Sequence, residues 1–202
     1  MSASDAELLA SWQDGDRKAG GELIDRYFES VRRFFLNKVG DGADDLIQQT
    51  FLSCVQQRDQ IRTPEAFRGY LFAAARSKLI DWLRTKGTNP RIDVEVDSVV
   101  SAGMSPSSEL AARDDERLLV VALRHLPVEL QIALELYYFE RVRGRELEIA
   151  LGLPSGTVRS RLRRGLDMLR KKVDELAAAS PELRRLTDTS LQRWTSGLAD
   201  EA

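Results

Sequence analysis

Apolar residues recur at a spacing of three and four along almost the whole chain, and that period decides the fold class. Leu23, Ile24, Tyr27, Phe28, Val31, Phe34, Phe35 and Val39 form one such stripe. Ile47, Phe51, Cys54 and Val55 form a second, and Phe67, Tyr70, Leu71, Ala74, Leu79, Trp82 and Leu83 a third. Further along, Leu130, Ala133, Leu134, Leu136, Tyr137 and Tyr138 repeat the pattern, followed by Val158, Leu162, Leu166, Leu169 and Val173. Each stripe predicts an amphipathic helix. One stretch, Ile92 to Asp97, alternates with the period of a strand, but no partner strand is visible and it reads as extended linker. The expected class is all-α.

Punctuation divides these helices. Ser4 with Glu7 is a capping-box pattern, opening a short helix to about Gln13. Gly15, Gly20 and Gly21 are expected to loosen the chain that follows, and Gly40 and Gly42 to end the next helix. Asp44 and Asp45 suit the positive end of a helix dipole. Thr63-Pro64-Glu65 predicts a helix start, with the helix running to about Lys86. Serines crowd residues 88–113 with Gly103 and Pro106, which reads as a flexible linker. Helices are then expected over 116–124, from Leu130 to Tyr138 and over 145–151, with Ser155 capping a last one to about Val173. The predicted organisation is a helical bundle over 1–87, a linker over 88–113, a second helical domain over 114–173 and a helical extension over 174–202.

Charge is distributed unevenly along the 202 residues, although the formal net charge is only −2. Arg62 to Arg91 carries seven bases against two acids, a net +5, and Arg141 to Lys172 carries ten against three, a net +7. Ile92 to Leu110 carries four acids and no base. Two basic blocks joined by an acidic connector suit a nucleic-acid partner better than the sum suggests. No run approaches 18 apolar residues, so no membrane span is expected. The N-terminus lacks a basic stretch followed by an apolar one, so no secretory signal is expected either. A single cysteine, Cys54, forms no intrachain disulfide and reads as a buried small side chain, which makes a cytoplasmic location the default. With one histidine, His125, far from Cys54, no metal cluster, cofactor site or catalytic frame emerges.

The strongest local pattern runs from Glu146 to Leu162: a short helix, Gly152-Leu153-Pro154, then a second helix. That is the helix-turn-helix plan. At 100° per residue, Val158, Leu162, Leu166, Leu169 and Val173 point inward, while Gly156, Ser160, Arg163, Arg164 and Lys171 lie opposite, with Thr157 and Arg161 beside them. A small, cationic outer face suits a recognition helix in the major groove. The helix beginning near Thr63 interleaves Arg68, Arg76, Lys78 and Arg84 with Phe67, Tyr70, Phe72 and Trp82. Basic and aromatic residues together hold unpaired bases, although Tyr70 and Trp82 fall on the apolar side and read more readily as core.

Three segments in order resemble a known family. Asp44-Asp45-Leu46-Ile47-Gln48-Gln49-Thr50-Phe51-Leu52 is similar to the D-L-V-Q-E-x-F-L pattern of region 2.2 in the extracytoplasmic-function sigma factors. Phe67-Arg68-Gly69-Tyr70-Leu71 and Ala75-Arg76-Ser77-Lys78-Leu79-Ile80-Asp81-Trp82-Leu83-Arg84 resemble F-R-x-W-L and A-R-N-x-x-I-D-x-L-R of regions 2.3 and 2.4. Leu126-Pro127 and Gly152 to Leu162 resemble the L-P and L-G-I-P-x-G-T-V-K-S-R-L of region 4. The resemblance implies two domains, one of region 2 and one of region 4. It implies polymerase contacts at Asp44, Asp45, Leu46, Gln48, Gln49 and Phe51, made with the clamp helices of the core's largest subunit, and a further contact with the flap. It implies minus-ten contacts at Arg68, Arg76, Ser77, Lys78, Asp81 and Arg84, and minus-thirty-five contacts at Thr157, Arg159, Ser160, Arg161, Arg163 and Arg164. The acidic linker would thread the RNA path of the polymerase. The chain departs from the family at Ser77, where Asn is usual, at Gln49, where Glu is usual, and at Glu148-Ile149, where the order is Ala-Glu.

The implied function is promoter recognition with RNA polymerase core, without catalysis. A stand-alone helix-turn-helix regulator explains the second block but leaves the Asp44–Gln57 helix without a role. Beyond the family core, Leu183, Leu186, Leu191, Trp194 and Leu198 share one helical face, to be buried on the chain's own domains or used in self-inhibition. An anti-sigma factor is the other expected regulator.

Overall fold

The computed structural model describes residues 3–36, 38–39, 42–63, 66–86 and 114–178. The linker over 88–113, its strand-like stretch, the helix start at Pro64 and the tail beyond Ala178 lie outside the described residues. Within them the chain is helical. The first unit holds α1 (Asp5–Gln13), α2 (Arg17–Leu36), α3 (Ala43–Gln57) with a 3-10 turn (Arg58–Gln60), and α4 (Phe67–Thr85). The second holds α5 (Asp114–Arg124), α6 (Val128–Leu134), a π-helical turn (Glu135–Phe139), α7 (Gly144–Leu151) and α8 (Ser155–Ala178).

The capping box forms as expected: Ser4 Oγ accepts from the Glu7 amide while the Glu7 carboxylate takes the Ser4 amide at 2.7 Å. Gly20 and Gly21 do not loosen the chain; both lie inside α2. A Cβ on Gly20 would stand 2.5 Å from the indole nitrogen of Trp12, so this glycine lets α1 and α2 close on each other. Helix α8 begins on Ser155 itself, whose predecessor Pro154 accepts from the amides of Thr157 and Val158, and it passes Val173 to reach Ala178.

Most of each expected stripe is buried, but Phe28 of the first stripe is exposed. Leu23, Val31, Phe34 and Phe35 of α2 meet Leu71, Phe72 and Leu79 of α4, with the Phe34 and Phe72 rings 5.9 Å apart. In the second unit α8 packs on α5, α6 and α7, its Val158, Leu162, Leu166, Leu169 and Val173 all buried. Each such side chain removed from water contributes about 1.5–3 kcal/mol. The two units are not separate: α4 packs against α7, and the buried apolar side chains of both form one cluster.

Candidate nucleic-acid interface

Helix α7 ends at Gly152, whose φ of 65° and ψ of 36° belong to the left-handed region where a side chain is costly. The amide of Leu153 returns to the Glu148 carbonyl at 3.1 Å, closing the turn that aims α8. Because the inward stripe of α8 is fixed by packing, its opposite face is fixed too. Thr157, Arg159, Ser160, Arg163 and Arg164 are all exposed, and Ser160 Oγ donates to the Thr157 carbonyl at 2.9 Å. Among the described residues, Arg159, Arg163 and Arg164 have no carboxylate partner. Arg161 differs from its neighbours. It turns back to Glu129, 3.0 Å away, and burial lowers its guanidinium from the ordinary value, opposed by that carboxylate.

Helix α4 divides its implied residues in a similar way. Ser77, Asp81 and Arg84 are exposed, with Arg84 pairing Asp81 at 3.1 Å one turn back. Lys78 is half-buried, as are Tyr70 and Trp82, which pack against the core. Arg68 and Arg76 instead face the second unit. Arg68 donates to the Glu146 carboxylate at 2.8 Å and to the carbonyls of Arg141 and Glu140 at 2.9 and 3.3 Å. Arg76 grips Glu129 with both arms, at 3.1 and 2.5 Å, in the fork geometry that favours a guanidinium. Glu129 therefore serves two arginines, one from each unit.

Further pairs lie on the same seam. Arg33 reaches both oxygens of Glu140 at 3.3 Å, and the Lys38 ammonium pairs with the Glu135 carboxylate. The Lys38–Glu135 pair is nearly sealed, the two side chains 0% and 6% exposed. Lys38 also donates to the Phe34 carbonyl at 2.8 Å and sits 4.0 Å from the Phe34 ring centre, while Gln131 donates to Glu135 at 3.0 Å. Burial lowers the Lys38 ammonium and Glu135 opposes it. All four of these bridges take the cation from the first unit and the carboxylate from the second. At the centre of the seam, Gly69 lets the helices touch: a Cβ there would lie 2.6 Å from the Glu146 carbonyl oxygen and 3.0 Å from its Cα. The turn that carries Glu140 is unusual. It follows the π-helix and includes Arg141 at a φ of 52°, in the left-handed region.

On α3 the implied docking residues split by register. Asp44, Asp45 and Gln48 are exposed, and Gln49 is half-buried, donating to Asp45 at 2.7 Å. Leu46 and Phe51 are buried, 3% and 9% exposed, so they hold the helix in place rather than offering a surface. In the first unit, Leu52 at 53% and Phe28 at 42% are the large apolar residues left exposed among the described residues, the latter stacked on Phe51 with ring centres 6.1 Å apart. The sequence places Phe28 on the apolar stripe of α2 and Leu52 at the end of the region 2.2 pattern, and marks neither as an exposed contact residue. A leucine one step past the buried stripe was the available signal. The acids Glu129, Glu135, Glu140 and Glu146 were also missed, because no local pattern marks a carboxylate that meets a distant helix.

Among the described residues no cluster of His, Cys, Asp or Glu is arranged to hold a metal ion, and no helix is long and apolar enough to cross a membrane.

A helix-turn-helix with an unpaired cationic recognition face, tethered to a second helical unit with its own basic helix, defines a two-part DNA-binding factor. Comparison with known proteins narrows this. The family described as Sigma-70 region 2 matches residues 23–88, and Sigma-70, region 4 matches residues 116–169. The chain is 25% identical over 183 residues to the ECF RNA polymerase sigma-E factor of Haemophilus influenzae, covering 86% of this chain and 97% of that one. It is 24% identical over 173 residues to the ECF RNA polymerase sigma factor SigW of Bacillus subtilis, covering 80% and 92%. The solved structure of CnrH in complex with the cytosolic domain of CnrY shares the fold, with a TM-score of 0.62 over 88% of this chain and 99% of that one at 21% identity. The chain belongs to the extracytoplasmic-function group of the sigma-70 family and acts in promoter-specific transcription initiation with RNA polymerase.

Proposed function

We propose that this chain carries RNA polymerase core to a defined promoter set by three surfaces, and that it performs no catalysis itself. The first is the outer face of α3, where Asp44, Asp45, Gln48 and Gln49 meet the clamp helices of the largest subunit, with Leu52 as the apolar anchor and Leu46 and Phe51 behind it. The second is α4, where Arg68, Arg76, Ser77, Lys78, Asp81 and Arg84 open and hold the minus-ten element. The third is α8, where Thr157, Arg159, Ser160, Arg161, Arg163 and Arg164 read the minus-thirty-five element while the second unit rests on the flap. The acidic linker threads the RNA path between them. The cytoplasm is the compartment where these partners meet. An anti-sigma factor fits as regulator, since the solved relative CnrH is bound to the cytosolic domain of CnrY.

The observation that carries this reading is the free cationic face of α8, with Arg163 and Arg164 exposed and without carboxylate partners, on a chain that also holds a region 2 unit. A stand-alone regulator would use α8 alone and leave α3 idle. Two assays separate the readings. Association with core polymerase in a pulldown, and run-off transcription from discrete start sites on a genomic library, are expected. Specific duplex binding without polymerase association would overturn the proposal.

A further inference from the structure

We propose that Glu129 and Arg161 form a positioning pair for promoter reading: the carboxylate on α6 holds the guanidinium on α8, and this grip sets the angle at which the exposed face of α8 meets duplex DNA. The inference rests on the reading of α8 as the minus-thirty-five helix. It moves Arg161 within that reading, from the residues that touch DNA to the pair that aims them.

Two observations carry it. The first is direction. Arg159, Ser160, Arg163 and Arg164 are exposed, whereas the Arg161 side chain is 17% exposed and reaches the Glu129 carboxylate at 3.0 Å. Burial disfavours the charged guanidinium, and Glu129 is the carboxylate that offsets this. To reach a base, Arg161 would have to leave that carboxylate, whereas Arg163 and Arg164 already face outward. Arg76 of α4 shares Glu129, but Glu129 and Arg161 belong to one unit, so their bond does not depend on how the units meet.

The second observation is the line on which Arg161 lies. Arg161, Gly165 and Leu169 follow one another four residues apart, so they share one flank of α8. Leu169 is fully buried, and a Cβ on Gly165 would stand 3.1–3.3 Å from the side-chain carbons of Leu134. That flank lies along α6, whose seven residues are all buried. Gly165 draws the two helices together, and about 6 Å nearer the start of α8 the ion pair ties down the end that carries Thr157 and Ser160. A helix held at one apolar point can pivot there. A second, directional contact one turn away fixes its tilt.

The experiment uses the full chain with core polymerase and two duplexes: a promoter taken from the run-off library, and the same promoter with its minus-thirty-five element scrambled. The ratio of the two affinities is the readout. Both duplexes carry the same phosphates, so a change in net charge cancels. Glu129→Leu and Arg161→Met each break the pair. The double variant replaces it with apolar side chains, a change that buried ion pairs commonly tolerate. Each single substitution should lower the ratio at least about fivefold, near the low end of what one lost base contact costs, and the double should recover most of that loss. Glu129→Gln, which keeps the shape of the side chain, should fall between wild type and Glu129→Leu. Glu140→Gln removes another acid of the second unit without touching the pair, and should match wild type. A double variant no more selective than Arg161→Met alone would make Arg161 a direct reader and overturn the proposal, as would wild-type selectivity in both Glu129 variants. Equal affinity of the wild-type holoenzyme for the two duplexes would instead sink the reading of α8 itself, and the proposal with it.

Discussion

Gly20 and Gly21 are chemically identical neighbours with opposite roles. A Cβ at Gly20 meets the Trp12 indole at 2.5 Å, whereas nothing lies within 4 Å of one at Gly21. Gly21→Ala should therefore stabilise the protein by about 0.4–1 kcal/mol through the unfolded chain, and Gly20→Ala should destabilise it by about 1–3 kcal/mol through overpacking; urea melts of the two variants check both signs. Sequence reading treated the pair as one loosening signal, since nothing local reveals what a side chain would strike. Cys54 was legible, because its place on an apolar stripe predicts burial. It is 5% exposed, and burial pushes its thiol up to about 12. With the thiolate scarce until far above neutral pH, alkylation by iodoacetamide at pH 8 should be negligible in the folded chain and complete in urea, as mass spectrometry would record.

At the scale of the element, α8 was the most readable part of the chain. Its inward stripe, the left-handed turn at Gly152 and the exposed arginines all follow from a period and two punctuation residues. Its upper boundary was not: Leu176, one turn past Val173, also packs against the core, and the helix runs on to Ala178. If Arg163 or Arg164 contacts a phosphate, its replacement by alanine should lower the salt dependence of promoter binding by about one unit. If it contacts a base edge, the change should cost about 1–3 kcal/mol and relax selection at one position. Titrations of the holoenzyme at several salt concentrations distinguish the two, and no effect from either substitution would mean that this face is not the reading face. Helix α4 was only half legible. Its arginines were visible, but Arg68 is turned by Glu146 of α7, 78 residues further on, and Arg76 by Glu129 of α6, 53 residues further on.

For the molecule as a whole, the paired blocks of positive charge were plain from composition, and their meeting was not. The acids that join them are scattered over α6, the π-helical turn, the connection after it and α7, among residues that carry bases too. Three of the four bridges are partly open to water, and such pairs contribute about 0–1 kcal/mol each. The sealed Lys38–Glu135 pair is of another kind. Glu135→Gln leaves an ammonium buried without its counter-charge, and a loss of about 3–5 kcal/mol in denaturant unfolding is expected. Because screening acts weakly on a sealed pair, that loss should be nearly the same at low and high salt.

Glu129 adds a last consequence. Its single negative charge is oversubscribed, held between a guanidinium of α4 and one of α8. Glu129 and Arg161 belong to the same unit, so parting the halves leaves that couple intact and neutral. What departs with the other half is Arg76, stripped of its counterion. Separation thus leaves a bare cation on α4 alone, while Arg161 on α8 keeps its carboxylate.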